Sequence, residues 1–196
     1  EVEKDIERAD LIVNNDGKTE ITAICLQIRD FFCNFAGWIV FLGLVYIKMI
    51  DNQLIFRSFA SGSSGNCYFL GTSKWGILID AGISARTIQK NLREMGLDYA
   101  NIMGVLITHD HADHIRAVGT LGERVHLPIY STRTIHDGID RNYGVREKLR
   151  TSQRYIEKGV EWELNGMRIN TFGISHDSSE CVGYVIDFMG QRFLIA

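Results

Sequence analysis

The sequence predicts an α/β (α+β) domain, a mixed β-sheet with helices packed outside it, starting near Met49. Three observations predict it. Short apolar runs alternate with amphipathic stretches from Gln53 onward. Late in the chain, paired runs flank Asn165-Gly166 and Met189-Gly190, as in β-hairpins. In the middle, the apolar run at 102–107 leads straight into Thr108-His109-Asp110-His111-Ala112-Asp113-His114, where three imidazoles and two carboxylates fall within six positions.

Residues 54–59, 66–70 and 76–79 read as strands separated by Gly/Ser-rich turns. Ser84 is placed to cap a helix with Ile88, Leu92 and Met95 on one face, and Gly96 to stop it. Residues 102–107 form the strand that delivers the histidine cluster, and a helix is expected from Asp113 through about Gly122. Residues 127–130 read as a further strand, followed by a helix starting near Ser131 or Thr132. Residues 160–164 with 167–172, and 182–188 with 192–195, form the two hairpins. No internal repeat is visible.

A chain of 196 residues with 45% hydrophobic and 23% charged residues suits one ordinary domain, and its formal net charge of −3 exerts no global pull toward nucleic acid. Cys25, Cys33, Cys67 and Cys181 are widely spaced and contain no C-x-x-C pair, which fits buried thiols in a reducing cytoplasm. Residues 1–48 stand apart from the domain at 49–196. They begin acidic and then run without charge through 31–47, a length at the lower limit for a membrane span. A basic start and a small-residue cleavage site are both missing, which argues against a signal peptide. The leading reading is an extension upstream of a functional start at Met49, with no stable membrane association. A genuine single-span anchor at 31–47 is the alternative.

In extended chain, side chains two apart point the same way, so His109 and His111 face one point. Asp113 and His114 open the next segment and address a second point a few ångströms away. Imidazole with carboxylate suits zinc, and also manganese or iron. The loop Ser61-Gly62-Ser63-Ser64-Gly65-Asn66 can be an anion-binding nest or simply a tight turn. His126 and His136 read as ordinary surface or packed histidines, and Asp110 is undecided between orienting a ligand and facing solvent. Between 116 and 158, nine Lys/Arg face five acids, a local balance of +4 against −7 for the rest of the chain. Such a stretch is either a solvated face or a track for a phosphate backbone.

His109-x-His111-x-Asp113-His114 after an apolar strand resembles the H-x-H-x-D-H signature of the metallo-β-lactamase-fold hydrolases. Ser61-Gly62-Ser63-Ser64-Gly65-Asn66-Cys67-Tyr68, Ile77-Leu78-Ile79-Asp80-Ala81-Gly82 and Ile174-Ser175-His176-Asp177 are similar to the YycJ-type branch, which resembles DNA-processing exonucleases. The resemblance covers about residues 49 to 196. It implies an αββα sandwich, of which the N-terminal half to two-thirds is present. It also implies two divalent ions, zinc or manganese, in the intact enzyme.

His176 then falls where the third imidazole of the first site is expected, beside His109 and His111, and Asp113 and His114 serve the second metal and the catalysis. Asp80 is expected to orient a ligand histidine or the loop by hydrogen bond. The branch signature brings Ser63, Ser64 and Asn66 near the substrate. A bridging aspartate and a final histidine of the fold are not matched, since neither Asp177 nor Asp187 has the required context. The chain is therefore expected to be a fragment with some apolar sheet surface exposed. The resemblance implies a metal-dependent hydrolase, a nucleic-acid phosphodiesterase acting on DNA through a hydroxide bridging two metals. Two alternatives are hydrolysis of a small ester, thioester or lactam in the same fold, and metal binding without turnover.

Overall fold

A computed structural model describes residues 11–13 and 53–196. The strands are β1 (Leu11–Val13), β2 (Ile55–Ala60), β3 (Cys67–Gly71), β4 (Gly76–Ile79), β5 (Ile102–Leu106), β6 (Ile129–Ser131), β7 (Gln153–Tyr155), β8 (Trp162–Leu164), β9 (Met167–Ile174), β10 (Cys181–Phe188) and β11 (Gln191–Ile195). The helices are α1 (Ala85–Glu94), α2 (Ala112–Ile115) and α3 (Arg133–Arg141). One sheet runs β2-β3-β4-β5-β6-β7, antiparallel through β4 and parallel from β4 to β7. The other runs β1-β11-β10-β9-β8, antiparallel except where β1 joins β11 in parallel. The apolar segment at 31–47, Met49, Cys25 and Cys33 lie outside the described residues. Leu11–Val13, grouped by sequence with the extension, contributes a strand on the open edge of β11.

Local chemistry accounts for most boundaries. Ser84 caps α1 by accepting from the Thr87 N–H at 3.1 Å, and Gly96 ends it at φ +74°. Ile88 and Leu92 are buried on its inner face. Asn165 and Gly166 both take positive φ, as do Met189 and Gly190, the conformation that lets a two-residue turn follow the strand twist. Three short elements escaped the sequence pattern: the strand β1, the 3₁₀ turn Tyr99–Asn101 and the three-residue strand β7.

The helix expected from Asp113 to Gly122 is not continuous. α2 is a single turn, and a separate π-helical stretch covers Thr120–Arg124. The helical ladder fails because its groups are used elsewhere: Asp113 O accepts from Asn66 N at 2.7 Å, and Ala117 N donates to Ala81 O at 2.8 Å. Backbone hydrogen bonds must be accounted for one by one, and here tertiary partners outcompete the i−4 carbonyl.

Between the sheets lies one apolar core. Phe56 of β2 stacks on Tyr68 of β3 at 6.0 Å and reaches Phe193 of β11 at 6.1 Å, and Trp75 meets Phe188 edge-on at 5.3 Å. Burying each such side chain contributes about 1.5–3 kcal/mol. Tyr184, fully buried on β10, donates to Ile107 O at 2.6 Å, and Ser131 Oγ donates to the same carbonyl at 2.9 Å. That carbonyl is therefore clamped immediately before Thr108. Phe193, Leu194 and Ile195 are buried, and the exposed large apolar residues sit singly on different elements. Among the described residues, then, the exposed apolar sheet expected from the sequence is not seen. No helix among them is long and apolar enough to cross a membrane.

The loop after α3 is held by one carboxylate. Glu123 Oε1 accepts from the N–H of Arg150 (2.9 Å), Thr151 (3.1 Å) and Ser152 (3.3 Å) and from Ser152 Oγ (2.8 Å). These bonds, the Arg150 N–H first, hold its pKa down at about 2. Because the folded value lies below the ordinary carboxylate value, the stabilisation is complete above about pH 4.5 and is lost as pH falls toward 2. Urea midpoints measured across that range should drop more steeply for the parent chain than for Glu123→Gln. Parallel curves would mean that Glu123 is not the anchor of this loop.

Candidate metal centre

β5 ends at Leu106, and the chain then turns through Ile107 and Thr108 into the histidine cluster. The facing sheet comes to meet it there: Val182 N donates to Thr108 O at 2.9 Å, and His109 and Cys181 form an isolated antiparallel bridge. This junction puts the His109 loop and the loop between β9 and β10, which carries His176, on the same edge of the sandwich. The rings of His109, His111 and His176 stand 4.8, 4.8 and 5.0 Å apart, an almost equilateral triangle. Their donor atoms all lie within 4.8 Å of one another. A tetrahedral zinc with N–Zn of about 2.05 Å needs nitrogens about 3.4 Å apart, so modest ring rotation brings the three into range. A zinc site that keeps a position for water takes three protein ligands, imidazoles binding in their neutral form, and the three residues fit that set.

His109 is suited to that state. Burial, followed by the neighbouring His114, lowers its pKa to about 4, so it is an uncharged imidazole at neutral pH. Its Nδ1 lies 3.0 Å from Thr108 Oγ1. Thr108 Oγ1 also bonds the Asp80 carboxylate, at 3.1 and 3.0 Å. With its one proton given to Asp80, the hydroxyl can only accept from His109 Nδ1–H, which leaves Nε2 as the free donor atom.

Asp80 is fully buried and sits at φ +58°, an uncommon conformation for a residue with a side chain. Besides Thr108 Oγ1 it accepts from Thr108 N–H at 2.9 Å through Oδ1 and from His114 Nδ1 at 2.8 Å through Oδ2. Burial alone would lower the His114 pKa, but the Asp80 carboxylate outweighs it and the net shift is upward. Asp80 thus touches both halves of the cluster and orients a histidine in each.

Asp113 and His114 lie beside the triad, with His114 Nε2 3.5 Å from Asp113 Oδ2 and its ring 3.9 Å from that of His109. Asn66 occupies the place between them. Its Nδ2 is 3.0 Å from His114 Nε2, 3.2 Å from Asp113 Oδ2 and 3.1 Å from Gly62 O. Expected near the substrate, Asn66 is instead 1% exposed and spends its amide on these partners. Ser63 and Ser64 face the cleft: with Asp113, Arg116, Asn142 and Gly144 they line a cavity of about 400 Å³. It meets the metal centre at Asp113, and the three imidazoles are not part of its wall.

Three sequence motifs interlock here through backbone. Besides the Asn66–Asp113 and Ala117–Ala81 bonds, Ala81 N donates to His114 O at 2.7 Å and Gly82 N to Asn66 O at 2.8 Å. A Cβ on Gly82 would lie 1.5 Å from Asp113 O, so the glycine is required by close approach and not by its φ.

Asp110, undecided from sequence, faces inward. Its carboxylate accepts from Ser179 N at 3.2 Å and from Ser179 Oγ, and Asn142 Nδ2 donates to its carbonyl at 3.1 Å. Asp110 therefore ties the His176 loop and the end of α3 to the histidine cluster. Glu180 adds a second tie, accepting from Thr132 and Lys158. Neither role has a local sequence signal, because the partners are 69, 48 and 22 positions away. His126 is exposed, and His136 is buried with Nε2 near Arg154 O, both outside the cluster.

With this geometry in place, comparison with known proteins is informative. A family model described as a beta-lactamase superfamily domain matches residues 76–196. The chain belongs to this superfamily. Its fold, two facing sheets with helices in the connections of one of them, is also found in solved metallo-β-lactamases. GOB-18 from Elizabethkingia meningoseptica gives a TM-score of 0.60 at 20% identity, covering 75% of this chain and 59% of that one. A motif mutant of the Cronobacter sakazakii enzyme gives 0.59 at 16%, covering 76% and 64%. At these identities the likeness concerns the fold. Among curated superfamily relatives, exodeoxyribonuclease YycJ of Bacillus anthracis is 31% identical over 132 residues, 67% of this chain and 49% of YycJ. Exodeoxyribonuclease WalJ of Streptococcus pneumoniae is 37% identical over 120 residues, 61% and 44%. The chain spans about half the length of these relatives.

The triad offers three donor nitrogens, with only the exposed Asp177 carboxylate near Nε2 of His111 and His176 at 3.8 and 3.4 Å, whereas the neighbouring pair has its His114 Nε2 already engaged by Asn66 at 3.0 Å. The chain should therefore bind about one equivalent of zinc tightly, read by elemental analysis after gel filtration. Asp80→Asn cannot serve both Thr108 N–H and His114 Nδ1–H, and should weaken that binding by about 10–100-fold. Two tight equivalents, or an unchanged affinity in Asp80→Asn, would contradict this account.

Proposed function

We propose that this chain carries the metal-binding half of a nucleic-acid phosphodiesterase, exonuclease-like and acting on DNA. The observation that carries the reading is the cleft. The cavity beside Asp113 continues into a second one of about 170 Å³ that shares Arg116, Gly144 and Val145 and adds Arg124 and Arg146. A phosphate chain lying in this trough would pass from guanidinium groups to the carboxylate-imidazole centre. That the curated relatives YycJ and WalJ are named exodeoxyribonucleases supports the same reading.

Pairing within the chain limits which cations are free to take part. Of the nine counted in the sequence, Arg124 pairs with Glu147, Arg150 with Asp140 and Lys158 with Glu180. Lys148 donates to the carbonyls of Asp140 and Asn142, Arg154 to those of Thr151 and Gln153, and Arg141 to Ser179 Oγ. Arg133 lies over the Tyr155 ring at 4.4 Å. Arg116 and Arg146 are exposed and have no side-chain partner among the described residues.

His109, His111 and His176 would hold one divalent ion, zinc or manganese, with Asp113 and His114 positioned for a second. What such ions supply is an activated water at neutral pH and Lewis-acid stabilisation of the phosphate. The chain's own residues do the rest. Asp80 and Thr108 fix the imidazole tautomers, Asp110 holds the His176 loop in register, and Arg116 and Arg146 draw the phosphate chain in.

Asp113→Asn removes a charged group from the reacting edge while leaving the trough intact. Manganese-dependent release of nucleotides from linear DNA should fall by about 100-fold or more, with DNA affinity changed less than about threefold. If the parent protein leaves DNA intact yet hydrolyses a thioester or lactam, the small-substrate reading replaces this one. If it turns over neither, it is a metal-binding chain.

A further inference from the structure

We infer that the trough receives a single-stranded end, with Tyr143 as the platform on which an unpaired base stacks. The inference rests on the nucleic-acid reading above and adds to it the state of the strand and the residue that reads it.

Tyr143 is 99% exposed and makes no ring contact or hydrogen bond among the described residues. An aromatic ring normally hides most of its surface, and this one hides almost none. Its setting is nevertheless ordered. Gly144 N donates to Asn142 Oδ1 at 2.9 Å, Val145 N to Asn142 O at 3.2 Å, and Lys148 Nζ to the same carbonyl at 3.0 Å. Asn142 in turn bonds Asp110 O, so the turn that presents Tyr143 is fastened to the metal loop itself. The residues on either side, Asn142 and Gly144, both line the cavity that holds Asp113.

The trough therefore brings together three features: the Asp113 carboxylate, two guanidinium groups without a side-chain partner among the described residues, and an exposed aromatic ring on the residue between two that line its wall. Guanidinium groups that track a backbone, together with an aromatic that takes a base face, form the recognition pattern for single strands. A continuous duplex has no free base face to offer the ring, whereas an unpaired base at a strand end does. The ring also supplies affinity that salt does not screen, which two arginines alone cannot.

The test uses the full 196-residue chain in chelator, so that cleavage cannot pass for lost binding, with a short mixed-sequence single-stranded DNA and a blunt DNA hairpin as probes. Tyr143→Ala should weaken single-strand binding by about 5- to 150-fold, the range that stacking one base contributes, and leave hairpin binding within about twofold. Tyr143→Phe should retain the parent affinity. The single-strand salt dependence should have a log–log slope near about −1.4, from two neutralised phosphates, in the parent and in Tyr143→Ala alike.

If the parent binds the single strand and Tyr143→Ala binds equally well, the stacking assignment is overturned while the nuclease reading stands. Equal losses on strand and hairpin, or a Phe variant as weak as the Ala variant, overturn it as well. A parent chain that binds neither probe overturns both this inference and the nucleic-acid reading beneath it.

Discussion

The constraint on which the site depends is the burial of the Asp80 carboxylate. A charge taken out of water costs several kcal/mol unless it is fully hydrogen-bonded, and Asp80 meets that condition through Thr108 N–H, Thr108 Oγ1 and His114 Nδ1. The requirement works in both directions. The carboxylate must find these donors, and in finding them it fixes the end of β5, the tautomer of His114 and, through the threonine hydroxyl, that of His109. A positive φ at Asp80 is the backbone cost of aiming the carboxylate inward, one that asparagine and aspartate tolerate better than other residues. Histidine orientation is thus set by a buried charge before any metal arrives.

A second layer of control comes from backbone. The serine-glycine loop, the Asp80-Ala81-Gly82 turn and α2 exchange hydrogen bonds that would otherwise belong to their own local structures. The cost shows as a helix reduced to one turn. The gain is that Asp113 and His114 are held at their main chain by Asn66 and Ala81, 47 and 33 positions earlier, so their side chains need little independent support. Asp110 extends the same logic toward α3 and the His176 loop. The wall of the cleft and the third imidazole are consequently fastened to one residue of the histidine motif.

The sequence made most of the fold legible, for reasons visible in particular residues. Strand periodicity, the Ser84 cap, Gly96 and the two hairpin dipeptides are local signals, and the elements they mark lie within one or two positions of expectation. The helix expected to Gly122 failed because carbonyl and N–H partners came from distant chain. β7, three residues long, carries too little pattern to see. At the site, spacing brought out His109, His111, Asp113 and His114, whereas His176 entered through the family resemblance. The roles of Thr108, Asp110 and Glu180, and the actual use of Asn66, depend on contacts across tens of positions and had no local trace.

Charge gives the clearest case of what composition conceals. The sequence shows a local excess of +4 between 116 and 158 and a net −3 for the whole, numbers that suggest either a broad basic face or none. The structure replaces that choice with an inventory of partners. Most of the cations close helix ends, cover carbonyls or neutralise nearby carboxylates, and pairs of this kind on the surface present little field beyond a Debye length of about 10 Å. Within 116–158, two guanidinium groups have no side-chain partner among the described residues, and both open on the trough that leads to Asp113. A mildly acidic chain can therefore still present a directed positive path to one anion, because attraction over a few ångströms is governed by which charges are free, and not by their sum.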